Sequence, residues 1–293
     1  MNEEKSSFMD QLFTEPVYSD SPQTEALFLK ALQEELIFHY EHNDMYRQFC
    51  NRKGFDPHAE LNDIKQIPPV AVSVFKNLGY GLASVPKEDI KLRLQSSATS
   101  GTPSTVVVDK ITSKRQAKAM VKVMQEFIGK DRKPFLVMDI DPRSEFRSLL
   151  GARFAAITGY LNFASKSGFF LKAKNGVSYF DIDAIKEYLT TIPSDQPVVV
   201  FGFTYIMYSN VLKAILAKGE KIQLPKGSKI IHIGGWKKLE AEKVEKSLFN
   251  QQLADGFGIE PTDVIDIYGF TEQMGLNYPD CPCGCKHTSA YVN

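Results

Sequence analysis

From residue 91 onward the chain alternates short β-branched or aromatic runs with stretches of helical spacing. The runs are PFLVMD (134–139), PVVVFGF (197–203), KIIHIGG (229–235) and VIDIYGF (264–270). TSKRQAKAMVKVMQEFIG (112–129), SEFRSLLGARFAAIT (144–158) and DIDAIKEYLTTI (181–192) read as helices. The last of these has an acidic first turn that suits the helix dipole. Strands separated by helices predict an α/β fold with a largely parallel, doubly wound sheet. In open sheets of this kind ligands collect beyond the carboxyl ends of the strands. Three stretches fall there: Phe203-Thr204, Gly234-Gly235-Trp236 and Gly269-Phe270-Thr271-Glu272.

Upstream, TEALFLKALQEELIFHYEHNDMYRQF (24–49) places Leu27, Leu32, Leu36, Ile37 and Tyr40 at helical spacing, which predicts one helix. His39 and His42 lie three apart on it and could share a face as metal ligands; ordinary surface histidines are the other reading. IKQIPPVAVSVFKN (64–77) is punctuated by prolines and reads as extended. Charge is balanced, with Lys+Arg 35 against Asp+Glu 35. That argues against nucleic acid or an anionic membrane as partner, since both need a basic surplus. The N-terminus MNEEKSSFMDQ has no signal pattern, and the longest apolar stretch, PVVVFGFTYIMYSNVL, is too short and too polar to span a bilayer. Cys50 stands alone while Cys281, Cys283 and Cys285 crowd together, which is no disulfide framework and points to a reducing cytoplasm.

Between LRLQS and TVVVD, two short strand-like runs, lies the loop QSSATSGTPST (95–105). Short Ser, Thr and Gly residues let successive backbone N–H groups turn inward beside hydroxyl donors, the chemistry that wraps phosphate oxygens. It is not a Walker loop, because GxxxxGK[ST] is missing and a strand follows. A plain hairpin connection is the other reading. In Tyr268-Gly269-Phe270-Thr271-Glu272 a carboxylate after a strand end could hold Mg²⁺. Alternatively Thr271 caps a helix whose dipole Glu272 complements. Paired glycines in HIGGW would let a flat ring approach the backbone, or serve a turn.

The ordered set of hydroxyl loop, GG after a strand and YGFTE after a later strand resembles the adenylate-forming superfamily. IPPVAVSVFK, Ser104 and HIGGWKKLE narrow the resemblance to its LuxE-type acyl-protein synthetase branch, across residues 25–293. Phenylacetate–CoA ligases and coenzyme F390 synthetases are related. The resemblance implies the large N-terminal domain of the acyl-adenylate-forming fold, β-sheets layered with helices and preceded by a helical segment. It divides the chain into residues 1–90 and an adenylate-forming core at 91–293.

It further implies that ATP and a carboxylic acid, such as a long-chain fatty acid, give acyl-AMP and pyrophosphate before the acyl group passes to a thiol. The acceptor would be a protein thiol, or CoA if the chain is a ligase of the phenylacetate type. Ser96, Ser97, Thr99, Ser100, Gly101 and Thr102 would cradle the β- and γ-phosphates. Gly234, Gly235 and Trp236 would border adenine or the acyl tunnel. Tyr268 and Gly269 would flank adenine and the acyl carboxylate. Thr271 would contact the α-phosphate and Glu272 would bind Mg²⁺.

Two departures stand out. Ala98 occupies a glycine position of the family loop, where φ > 0 would strain it. The family also continues past the position of Asn293 into a small C-terminal lid domain with a catalytic lysine. The expectation is therefore a chain equivalent to the large domain alone, and a nucleotide- or partner-binding role without turnover stays open. Cys281, Cys283, Cys285 and His287 form a further cluster. Structural zinc, incidental reduced thiols and an acyl-accepting thiol are its three readings, although the single-residue spacing is tight for zinc.

Overall fold

Serine caps start the first two helices. Ser7 Oγ accepts from Asp10 N at 3.1 Å ahead of α1 (Phe8–Leu12), and Ser21 Oγ accepts from Thr24 N at 3.2 Å ahead of α2 (Pro22–His42). The single helix expected over 24–49 is two. Asn43 breaks it: its backbone is extended, its Oδ1 accepts from Tyr46 N, and it caps α3 (Asp44–Lys53). Asn43 is buried and its Nδ2 donates to Gly81 O and Ala83 O, so a hydrogen-bonded side chain outweighs the apolar period there. The proline-marked segment is extended only around Pro68 and Pro69. A 3₁₀ turn (Ile64–Gln66) precedes them, and α4 (Val74–Asn77) forms once the prolines are passed.

The computed structural model describes residues 7–96, 102–150, 153–174, 177–273 and 277–291. These fall into two units. The first runs to Phe127 and includes Gly269–Tyr278 and the residues from His287; the second comprises Ile128–Tyr268 and Pro279–Lys286. In the first, β1 (Ile90–Gln95) pairs antiparallel with β2 (Thr105–Asp109), as the two runs flanking the hydroxyl loop predicted. Asp109 Oδ1 accepts from Thr112 N at 2.7 Å and opens α5 (Lys110–Ile128), and Gly129 at φ +80° ends it. Leu12, Phe13, Ala31, Ala119, Val123 and Tyr291 form an apolar cluster of this unit.

The second unit carries the predicted parallel sheet. Its elements are β3 (Lys133–Val137), α6 (Arg153–Tyr160), β4 (Ala164–Phe169), β5 (Leu171–Lys174), β6 (Val177–Phe180) and α7 (Ile182–Thr190). Then come β7 (Val199–Phe203), α8 (Thr204–Ile206), a π-helical stretch (Met207–Leu212) and α9 (Lys213–Lys218). β8 (Lys229–Ile233), α10 (Lys246–Phe257), β9 (Val264–Tyr268) and the short β10 (Tyr278–Pro279) complete it. The strand order is β10-β9-β8-β7-β3-β4, and the pairs from β9 through β4 are parallel. The helix expected over 144–158 is a 3₁₀ segment (Glu145–Leu150) followed by α6. β4, an edge strand, carries only one buried residue, so no apolar run announced it.

The chain leaves β3 for β4 on one side and returns to β7 on the other, which makes the gap between β3 and β7 the switch point of the sheet. A buried ion pair closes it. Asp139, just past β3, is fully buried; Arg153 of α6 gives Nε to Asp139 Oδ2 at 2.7 Å and Nη2 to Oδ1 at 3.1 Å. Nη1 reaches the Tyr205 hydroxyl at 2.7 Å, so the end of β3, α6 and α8 are tied together. Removing the cation alone would strand a buried carboxylate. Arg153→Met is expected to destabilise the protein by about 3–5 kcal/mol, and adding Asp139→Asn should recover part of that loss. Urea unfolding of the three proteins measures it.

Candidate functional site

At the hydroxyl loop the β1–β2 ladder runs on past Gln95 opposite Thr105. Ser96 N donates to Ser104 O at 3.1 Å, and Ser104 N donates to Ser96 Oγ at 2.8 Å. Ser96 thus closes the stem, and Ser104 is fully buried beneath it. Thr102 lies on the returning limb. Ser97, Thr99, Ser100 and Gly101, together with Ala98, lie outside the described residues.

The YGFTE segment belongs in part to the same unit. β9 ends at Tyr268, which is 53 % exposed, in the second unit; from Gly269 the chain is part of the first. Phe270 stacks on Tyr278 with the rings 12° from parallel, and Gln273 N donates to Phe270 O at 3.2 Å. The result is a single 3₁₀ turn, Thr271–Gln273, packed against β2. Thr271–Gln273 thereby lies against the strand that follows the hydroxyl loop, although Thr102 and Glu272 are some 170 positions apart in sequence. Glu272 is half-buried, makes no hydrogen bond or ion pair with any described residue, and lines a cavity of about 660 Å³ in the first unit. A half-buried carboxylate without a partner among the described residues suits a hard cation that needs only one or two protein carboxylates.

In the second unit, Gly234 has φ +77°, a backbone region that favours glycine, and a Cβ on Gly235 would meet open space. Thr204 Oγ1 donates to Gly234 O at 2.6 Å and so fixes the turn after β8. Trp236 is buried, packed edge-on against Tyr208 and Phe249. Its ring belongs to the core of this unit, and the exposed surface at this strand end is the glycine pair.

A polar cluster at the same end of the sheet was not anticipated. His232 of β8 is buried, with Nδ1 3.0 Å from Thr204 Oγ1 and 3.6 Å from Asp266 Oδ1. Lys286 Nζ bonds Asp266 Oδ2 and Asp280 Oδ1, each at 3.1 Å, and Lys246 pairs with Asp280. The available signal was His232 and Asp266 interrupting two otherwise apolar strands at matched register. Burial holds the His232 imidazole below its ordinary range, and Asp266 opposes the shift only partly.

The three cysteines occupy a tight hairpin. Asp280 bridges to Lys286, Cys281 N donates to Cys285 O at 2.9 Å, and Gly284 N donates to Cys281 O at 2.8 Å. Lys246 Nζ also bonds Gly284 O. Cys283 and Cys285 are exposed, and the four cysteines form no disulfide. Among the described residues no group of three or more His, Cys, Asp or Glu is arranged to hold a metal ion. Cys281, Cys283, Cys285 and His287 are therefore not assembled as a zinc site. His39 and His42 are engaged elsewhere: His39 Nδ1 meets Ser84 Oγ at 2.6 Å, and His42 stacks on Phe38. No helix among the described residues is long and apolar enough to cross a membrane.

A family model described as "Acyl-protein synthetase, LuxE" matches residues 3–293. The long-chain-fatty-acid–luciferin-component ligase of Vibrio harveyi is 26 % identical over 244 residues, covering 80 % of this chain and 60 % of the relative. The ligase of the same name from Aliivibrio fischeri is 25 % identical over 243 residues, with the same coverage. The chain thus spans about 60 % of the length of these curated relatives. Among solved structures, 2-hydroxyisobutyryl-CoA ligase in complex with 2-HIB-AMP and CoA in the thioesterification state superposes with a TM-score of 0.62 at 13 % identity. That match covers 94 % of this chain and 55 % of the other. An open conformation of the same ligase gives 0.57 at 14 % identity, covering 92 % and 58 %. These structural matches show that the chain shares the fold of that ligase.

The buried imidazole has a consequence for stability. His232 stays neutral in the native protein, while in the unfolded chain it takes up a proton as pH falls through about 6.5. Stability is therefore full above that pH and declines below it, by up to about 1.4 kcal/mol per pH unit from this group. His232→Asn should flatten the decline. Denaturant unfolding at pH 7.5 and pH 5.5 is the check, and equal slopes for the two proteins would contradict the assignment.

Proposed function

The chain belongs to the LuxE acyl-protein synthetase family, and from that premise we propose that it activates a carboxylic acid with ATP. A carboxylate oxygen attacks the α-phosphorus, the bond to pyrophosphate breaks, and acyl-AMP forms. The acyl group then passes to a thiol, that of an acceptor protein, with AMP as the second product. One observation supports this reading: Thr271–Gln273 packs against β2, the strand that follows the hydroxyl loop, and the Glu272 carboxylate has no partner among the described residues.

Charge builds on the phosphate oxygens as the α-phosphorus becomes five-coordinate, and donors held in place beforehand stabilise it without reorganising. The loop from Ser96 to Thr102 supplies hydroxyls and backbone N–H groups to the β- and γ-phosphates, Ser97, Thr99, Ser100 and Gly101 among them. Pinning of Ser96 to Ser104 makes that loop a short, anchored one. Thr271 offers its hydroxyl to the α-phosphate. Glu272 holds Mg²⁺, which when bound offsets phosphate charge. The exposed ring of Tyr268 and the open face at Gly235 suit a flat base. A cytoplasmic location accords with the exposed reduced thiols.

ATP–pyrophosphate exchange over a panel of carboxylic acids tests the reading, and acid-dependent exchange is expected. Glu272→Gln should lower exchange roughly 100-fold and abolish the gain in ATP affinity that Mg²⁺ confers, leaving the melting temperature unchanged. Release of AMP dependent on CoA alone would instead mark a CoA ligase.

A further inference from the structure

The cysteine hairpin at Pro279–Lys286 belongs to the second unit and is held at both ends. Asp280 is buried and bridges to Lys286, whose Nζ also bonds Asp266 of β9. Asp280 N donates to Asp266 O at 3.0 Å, and Lys246 at the start of α10 pairs with Asp280 and bonds Gly284 O. Between these anchors lies the turn Cys281-Pro282-Cys283-Gly284, closed by Gly284 N on Cys281 O, with Gly284 at φ +76°. Proline second in the turn and a left-handed glycine after it give a hairpin loop that ends in a bulge. Cys281 N donates to Cys285 O at 2.9 Å, which sets those two residues opposite each other. Opposed residues of an antiparallel pair stand about 4.5–5.5 Å apart between Cα atoms, within the roughly 4.4–6.8 Å that a disulfide spans. Side chains alternate along such a ladder, so Cys281 and Cys285 share the face away from Asp280 and Lys286. Cys285 is exposed and Cys281 half-buried, so a small reagent reaches them. The cluster does not gather on a metal, but the ladder sets two of its thiols side by side.

We propose that Cys281 and Cys285 form a reversible disulfide site, oxidised by a small-molecule disulfide of the glutathione class, and that closure restrains the hairpin against β9. The Cys285 sulfur, its proton lost to solvent, attacks one sulfur of the reagent; the reagent's S–S bond breaks and one thiolate leaves. The deprotonated Cys281 sulfur then attacks the Cys285 sulfur. The Cys281–Cys285 bond forms and the second thiolate leaves. The two cysteines give up two electrons, the reagent takes them, and the two departing thiolates take up the two protons. A bridge around residues 282–284 constrains little of the unfolded chain and lies at the surface, so excess thiol reopens it. Cys283, within the turn, has no cysteine opposite it. The site stands whether or not the chain adenylates an acid.

The experiment incubates the full chain in mixtures of oxidised and reduced glutathione, then quenches with acid, denatures, alkylates free thiols and maps the peptides by mass. Two of the four cysteines, Cys281 and Cys285, should become resistant to alkylation, while Cys50 and Cys283 stay reactive. The peptide that holds the hairpin should lose two hydrogens and regain them with dithiothreitol. Cys283→Ser should oxidise at the same glutathione ratio to within about twofold. Cys281→Ser and Cys285→Ser should lose the internal bridge and give only a mixed disulfide with glutathione. Amide hydrogen exchange over residues 281–286 should slow on oxidation and recover on reduction. If all three hairpin thiols stay open to alkylation at every ratio, or if a bridge through Cys283 survives in Cys281→Ser, the assignment is overturned. Unchanged hydrogen exchange in the bridged protein would overturn the restraint.

Discussion

Every residue of β7 is buried, and its backbone is paired on both sides, to β3 and to β8. A strand in that position can carry no polar side chain without a partner, so the chemistry of the second unit is displaced to where the strand ends. Thr204, the first residue past β7, is buried and bonds both the glycine turn after β8 and the imidazole of His232. Asp139 plays the equivalent part past β3, and it is buried because Arg153 and Tyr205 satisfy it. The conserved geometry of an open parallel sheet thus emerges from one rule: apolar along the strand, polar at its carboxyl end.

The first unit is organised differently. Its two-stranded β1–β2 ladder does not enclose a core, and it takes its support from the 3₁₀ turn at Gly79–Leu82, α4 and the 3₁₀ turn at Thr271–Gln273. The Thr271–Gln273 turn arrives from far along the chain, after β9, so it packs against a strand from a separate stretch of sequence. A carboxylate delivered in this way remains unpaired among the described residues, whereas most other acidic side chains near it serve caps or ion pairs, as Asp109 and Glu35 do.

Much of this was legible in advance, for reasons that differ by element. β3, β7, β8 and β9 announced themselves because buried parallel strands must be continuous apolar runs. α5 and α7 did so through helical periodicity, and α7 also through its acidic first turn; Asp109 and Asp181 cap the two helices in the structure. Asn43 was missed as a helix break because its effect depends on the carbonyls of Gly81 and Ala83, some forty residues away. β4 was missed because an edge strand with one buried residue has no signature of its own. The cysteine cluster illustrates the opposite error: thiols crowded in sequence need not converge in space, and here a hairpin clamped by Lys246 and Lys286 displays them outward.

The sequence by itself determined the class of fold, the parallel sheet and the motif order that identifies the family, since each is written in local periodicity and spacing. The tertiary structure alone decided that Glu272, against β2, has no partner among the described residues, that Trp236 belongs to the core, and that His39 and Asn43 spend their polar atoms on Ser84 and on the carbonyls of Gly81 and Ala83. The physical reason is the same in each case. Whether a polar group is available to a ligand depends on which partner reaches it first, and that partner is distant in the chain.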